Sequence, residues 1–144
     1  MSVLKVYNPI DIEVDHGDGV YLYASDGTRF LDFTSGIGVN CLGHSHPSLV
    51  NALKSQGEKI WHCSNLFKVV GQETVADKLV ENSFASDVFF CNSGSEATET
   101  SIKVARKFFY EKGYTSKNRI ITFEGAFHGR TLASLFAAKN PDHT

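Results

Sequence analysis

In Val88-Phe89-Phe90-Cys91-Asn92-Ser93-Gly94-Ser95-Glu96-Ala97 a short apolar run gives way to a polar turn, and the turn to the start of a helical pattern. The apolar run suits a strand buried on both faces. Beyond it, Ala97, Ser101, Val104, Ala105 and Phe108 recur at the spacing of one helical face and predict a buried stripe on a helix over Glu96–Glu111. Gly113 lies just past that helix, where a left-handed residue is wanted. Ile120-Ile121-Thr122-Phe123 then reads as a second buried strand. Strand, helix and strand at this separation predict a βαβ unit, with parallel strands joined by a right-handed crossover, and so an α/β fold.

Upstream of this unit, Gln72–Asn82 reads as a helix through the i,i+4 pairs Val75/Leu79 and Ala76/Val80. Another helix starts at Pro47, whose missing N–H a first helical turn tolerates, and places Leu49, Leu53 and Ile60 on one face. Before Gly36-Ile37-Gly38 the chain reads as a small β-meander. Its strands, Ile10–Val14, Val20–Tyr23 and Phe30–Phe33, are separated by the turn formers His16-Gly17-Asp18-Gly19 and Ser25-Asp26-Gly27-Thr28. The expected organisation is an N-terminal lobe segment over 1–50 and the beginning of a larger domain over 51–144. No internal repeat or low-complexity stretch interrupts it.

With 42% hydrophobic residues and a net charge of −2, the composition is that of an ordinary globular chain. Fourteen basic against sixteen acidic residues leave no field to gather nucleic acid or an anionic membrane surface, so small molecules or further copies of the chain are the expected partners. Three unevenly spaced cysteines, Cys41, Cys63 and Cys91, do not make a disulfide framework and fit a reducing compartment. Met1–Ile10 lacks the apolar run of a signal peptide or spanning helix, and the expectation is a cytoplasmic location.

The chemistry is expected at the turn. Where a strand ends and a helix begins, backbone N–H groups are unpaired and the helix dipole favours an anion. Gly94 lets the backbone approach such a ligand and Ser95 adds a hydroxyl donor. Ser93 and Glu96 match a capping box, a local role that can coexist with anion binding. No Gly-Lys-Ser/Thr follows and no Gly-x-Gly-x-x-Gly is present, which leaves a single phosphate monoester as the expected ligand. Phe127-His128-Gly129-Arg130-Thr131 follows the second strand and is expected at the same sheet edge. Taken singly, Phe127 reads as a core residue and Arg130 as a surface charge. Together with the helix start, they describe an aromatic cover for a flat ring and a fork for a carboxylate. His44, His46, His62 and Cys63 have no acidic or cysteine partners at zinc-ligand spacing, so structural or substrate-adjacent roles are expected and no metal. No Gly-x-Ser-x-Gly elbow is present.

Leu31-Asp32-Phe33, Ser35-Gly36-Ile37-Gly38-Val39-Asn40, Gly43-His44-Ser45-His46-Pro47, His62-Cys63-Ser64-Asn65-Leu66-Phe67, Val88 to Ala97 and Phe127-His128-Gly129-Arg130-Thr131, taken in order, resemble the class III pyridoxal-phosphate aminotransferases. The resemblance runs over nearly the whole chain. It implies part of the fold-type I architecture, with a small mixed β lobe followed by the start of a mostly parallel-sheet large domain, in a homodimer. It further implies that Gly94 and Ser95 bind the phosphate of pyridoxal 5'-phosphate, that Phe127 packs on the pyridine ring, that Arg130 takes the substrate α-carboxylate, and that Tyr7 in Tyr7-Asn8-Pro9 helps to hold it. Ser64-Asn65-Leu66-Phe67 and the run from Val39 to His44 are most similar to members acting on N-acetylornithine. That implies amino transfer from N-acetyl-L-ornithine to 2-oxoglutarate, a step of arginine biosynthesis. Ile37 stands where ornithine aminotransferases carry a tyrosine, and His128 where they carry a tryptophan, so ornithine itself is disfavoured. A 4-aminobutyrate, succinylornithine or succinyldiaminopimelate aminotransferase, or a non-catalytic phosphate-binding module, stay open as alternatives. The resemblance places the Schiff-base lysine, and the aspartate on the pyridine nitrogen, beyond Thr144. No catalytic residue is therefore expected within the chain, and residues 1–144 alone are expected to be inactive.

Overall fold

A computed structural model describes residues 3–138, and the chain divides into two units, Met1–Val69 and Val70–Thr144. The first is built on a three-stranded antiparallel sheet in the order β1-β2-β3, with β1 at Val14–Asp18, β2 at Tyr21–Ala24 and β3 at Arg29–Leu31. The meander is present, with its boundaries moved. Of the strand expected over Ile10–Val14 only Val14 joins the sheet, and the expected turn residues His16, Gly17 and Asp18 are strand. Side-chain contacts hold them there: His16 stacks on Tyr23 at 4.6 Å, and Ser45 Oγ donates to the Gly17 carbonyl over 2.8 Å. The reversal is instead a two-residue link in which Gly19 takes φ +52°, matching the twist of paired strands. At the second turn Thr28 N–H bonds to the Asp26 carboxylate over 2.8 Å, which holds that carboxyl below the usual range.

Asp32, expected inside the third strand, terminates it. Its Oδ1 accepts from Thr34 N, Thr34 Oγ1 and Ser35 N at 2.9, 2.6 and 3.0 Å. The chain then enters a single turn over Ser35–Gly38 (α1), where Ser35, Gly36, Ile37 and Gly38 have φ of 49°, 60°, 59° and 83°. Left-handed backbone costs an L-residue roughly 1–2 kcal/mol, so Ser35 and Ile37 must be held in it. The Asp32 bonds, Asn40 N to Ser35 O at 3.0 Å and Ser35 Oγ to Asn40 O at 3.0 Å hold it. Asp32 Oδ2 also meets His44 Nε2 at 2.8 Å, with the two side chains only 4% and 17% exposed. A Cβ on Gly17 would come within 2.5 Å of the His44 ring, so that glycine serves close approach. Helix α2, Pro47–Gly57, begins with proline in its first turn as the sequence predicts. Ile60 falls outside it.

In the second unit α3 covers Gln72–Glu81, α4 Gly94–Glu111 and α5 Leu132–Ala138. At the end of α4, Gly113 takes φ +81°, Gly113 N–H bonds to Tyr110 O and Tyr114 N–H to Phe109 O. This is the paired closure that a left-handed C′ residue makes, and Phe109 packs edge-on to Tyr114 across it at 6.4 Å. Two expectations fail. Val88–Cys91 and Ile120–Phe123 are not strands, because a parallel strand exists only through its ladder and neither run finds a partner among the described residues. The stripe expected to be buried on α4 is exposed, with Val104 at 61% and Phe108 at 56%.

The same holds throughout the described residues, where Ala138 is the one buried hydrophobic side chain. The chain exposes 13067 Å². A folded monomer of its 15.9 kDa would expose about 7,400 Å², and two separate globules of half that mass about 8,900 Å². Secondary structure is in place while its apolar faces remain uncovered.

Candidate functional site

The start of α4 is set by Ser93, extended at φ −155° and ψ 162°, whose hydroxyl accepts from Glu96 N over 3.2 Å. The Glu96 carboxylate reaches back one residue further than a capping box requires and accepts from Asn92 N over 2.5 Å. Ala97 N–H closes onto the Ser93 carbonyl over 3.0 Å. Cap and first helical bond thus use the N–H groups of Glu96 and Ala97. Among the described residues nothing pairs with those of Gly94 and Ser95, which lie at the positive end of an 18-residue helix. Apart from its chain neighbours and the nearby backbone of its own helix, no atom of the described residues comes within 4 Å of where a Cβ on Gly94 would stand.

Against this helix start lies the loop from Phe127 to Thr131. The Arg130 N–H donates to Ser95 Oγ over 3.2 Å. Gly129, buried and at φ +120°, makes the approach possible, since a Cβ there would collide with Ser95 Oγ. Thr131 Oγ1 donates to Glu99 Oε1 over 2.6 Å, so a second contact ties the loop to α4 one turn further on. Ser134 Oγ, on a residue with no exposed surface, accepts from Thr131 N and lies 2.9 Å from both Thr131 Oγ1 and Thr131 O. Phe127 is 70% exposed.

Of the residues singled out in the sequence, Gly94, Ser95, Phe127 and Arg130 belong to one unit, and Ser95 and Arg130 are in direct contact. Tyr7 belongs to the other unit and is 65% exposed. Helix start and loop meet through the Ser95–Arg130 contact and not, as expected, at a shared sheet edge, since the flanking runs form no strands among the described residues. Glu99 and Ser134 were not legible as site residues. The available signals were Glu99 four residues after Ser95 on one helical face, and the Thr131-x-x-Ser134 spacing of a local helix-start bond. A hollow of about 400 Å³ lies beside the end of α4, lined by Lys103, Lys107, Tyr110, Tyr114 and Lys117 among others. Two of its cations stack on its own rings, Lys107 on Tyr110 at 5.5 Å and Lys117 on Tyr114 at 4.7 Å, and its lining includes none of these groups.

Residues 3–144 match the family profile of the aminotransferases of class III. The chain belongs to that family. Among curated class III relatives it is 56% identical to the acetylornithine aminotransferase of Agrobacterium fabrum over 88% of its own length and 32% of the relative's. Among solved structures, the N-acetylornithine aminotransferase of Stenotrophomonas maltophilia K279a matches with a TM-score of 0.77 at 41% identity, over 84% of this chain and 34% of that one. A PMP-bound aminotransferase from Vibrio fluvialis matches with a TM-score of 0.83 at 32% identity, over 91% and 30%. The chain therefore spans about a third of the length of the relatives it matches, and within that span its architecture is theirs, the fold-type I architecture of pyridoxal-phosphate enzymes. Class III aminotransferases depend on pyridoxal phosphate. The α4 start suits a phosphate monoester: two unpaired N–H groups, a hydroxyl with a donor to spare, and open space over Gly94.

Proposed function

We propose that the chain serves, within a longer polypeptide, a pyridoxal-phosphate transaminase that passes the amino group of N-acetyl-L-ornithine to 2-oxoglutarate, a step of arginine biosynthesis. The names of the relatives support the donor, and the 2-oxoglutarate acceptor follows from the resemblance. The bound cofactor would supply the electron sink for amino transfer. Gly94 and Ser95 hold its phosphate with their N–H groups, assisted by the α4 dipole and the Ser95 hydroxyl. Phe127 covers the pyridine face with its exposed ring. Arg130 takes the α-carboxylate through two parallel hydrogen bonds. No lysine of residues 1–144 is assigned the Schiff base. The working enzyme is a homodimer in the cytoplasm, which fits a chain whose described residues leave so much apolar surface uncovered.

The observation that carries this reading is the bond between Arg130 N and Ser95 Oγ. It sets an anion-binding helix start beside the loop that bears the arginine and the aromatic. In the full-length enzyme Arg130→Lys keeps the charge and loses the planar fork. It is expected to cost roughly 1.5–3 kcal/mol of donor binding, about 10- to 150-fold in KM for N-acetylornithine, with little change in cofactor affinity. Steady-state kinetics with a cofactor titration read both, and unchanged constants for donor and acceptor would remove Arg130 from the site.

A further inference from the structure

Between the helix start and the arginine loop lies a set of polar contacts that capping does not require. Ser95 has one hydrogen to give and two lone pairs to offer. One lone pair is taken by the Arg130 N–H, and within the described residues the Ser95 hydroxyl donates to nothing. A hydroxyl fixed in this way keeps its hydrogen for an outside acceptor. What fixes it is the loop. Gly129 packs so closely on Ser95 that any side chain there would strike Oγ, and Thr131, two residues on, is anchored twice. Its hydroxyl donates to the Glu99 carboxylate, a charge-assisted bond of 2.6 Å. Its N–H donates to Ser134 Oγ, and the Ser134 hydrogen is shared between the Thr131 carbonyl and hydroxyl oxygens, both at 2.9 Å. Ser134 is wholly buried, and Glu99 stands one turn along α4 from Ser95. The anchor and the hydroxyl it sets are therefore referenced to the same helix.

We propose that Thr131, anchored by Glu99 and Ser134, is a positioning residue. It holds the Gly129–Arg130 peptide on Ser95, so that one rigid arrangement presents both the serine hydroxyl to the cofactor phosphate and the arginine to the substrate carboxylate. The inference rests on the proposed transaminase reading and adds that the two ligand ends are set by one latch. A change at Thr131, which touches neither ligand, then weakens both.

The test uses the full-length enzyme. Thr131→Val removes the hydroxyl at nearly constant volume, Thr131→Ser restores it, and Glu99→Gln leaves a neutral acceptor in place of the carboxylate. Pyridoxal phosphate affinity of the apoenzyme is read by absorbance titration, and donor KM and kcat by steady-state kinetics. Thr131→Val is expected to weaken cofactor binding and raise donor KM together, each by about three- to tenfold, with kcat at saturation changed by less. Thr131→Ser is expected to return both to within about twofold, and Glu99→Gln to fall between. A Thr131→Val protein with a lowered melting temperature and unaltered cofactor affinity and KM would overturn the proposal, leaving Thr131 a stability contact only. If that variant fails to fold, Glu99→Gln carries the same test, since it adds no volume. A wild-type apoenzyme that takes up no pyridoxal phosphate would overturn the transaminase reading itself. A failure of the latch alone leaves wild-type binding intact, so the two failures are distinguishable.

Discussion

Asp32 shows how much one side chain can organise. Its carboxylate ends β3, caps the left-handed turn at Ser35–Gly38 and binds His44, while its own side chain is almost wholly covered. The Thr34 side-chain bond, then the His44 bond, hold its carboxyl well below the ordinary value of 3.8. A folded-state pKa below the unfolded one means the group stabilises the fold above the unfolded pKa. That contribution is lost as pH falls toward the folded pKa. In the full-length enzyme Asp32→Asn is therefore expected to lower the denaturation midpoint by a constant amount between about pH 5 and 8, and the gap to the parent is expected to shrink below about pH 4. Denaturant titrations across that range check it; a gap unchanged down to pH 3 would show that the charge contributes nothing. The sequence marked Asp32 as one letter of a family motif, and its local bonding was not legible. Three donors converge on it only once the turn has folded.

Among the elements, legibility follows how local the determinants are. Helices α3 and α4 fall within two residues of where periodicity and end signals put them, α2 starts at Pro47 as read but stops at Gly57, short of Ile60, and the left-handed closure at Gly113 is as read. Pro47 in a first turn and Gly113 past a last one act through their own backbones, whatever the tertiary surroundings. The meander was legible in number and order but not in register, because His16 and Gly17 look like turn residues until Tyr23 and Ser45 engage them. Val88–Cys91 and Ile120–Phe123 were misread as strands of this chain on its own, because apolar character gives the tendency and partner strands give the ladder. At the site, the nearness of the Arg130 loop to Ser95 was read through a shared sheet edge that the described residues do not form, and the contact itself runs from the Arg130 N–H to the Ser95 hydroxyl. The Glu99–Thr131–Ser134 anchor was not legible, since it depends on how the loop packs on one face of α4.

For the whole molecule, exposed apolar area outweighs every local contact. Val104, Phe108, Leu49 and Leu53 sit on helix faces whose periodicity specifies burial, yet all are more than half exposed. At about 25 cal/mol per Å², faces of this extent favour association strongly. Residues 1–144 expressed alone are therefore expected to self-associate, and because none of their lysines is assigned the Schiff base, they are also expected to show no amino transfer. Light scattering after size exclusion checks the first expectation and a transamination assay the second; a monodisperse monomer that turns over N-acetylornithine would contradict both.

Whether the start of α4 seats the cofactor phosphate is decided by titrating the full-length apoenzyme and its Gly94→Val variant with pyridoxal phosphate. The space over Gly94 is open in the structure, and a branched side chain would fill it where the phosphate must approach two unpaired N–H groups. Cofactor affinity is expected to fall by at least about tenfold, the loss of one or more charge-assisted hydrogen bonds. A variant that is less stable yet binds pyridoxal phosphate as tightly as its parent would contradict this seating, and would leave the Gly94-Ser95 turn as a helix cap alone.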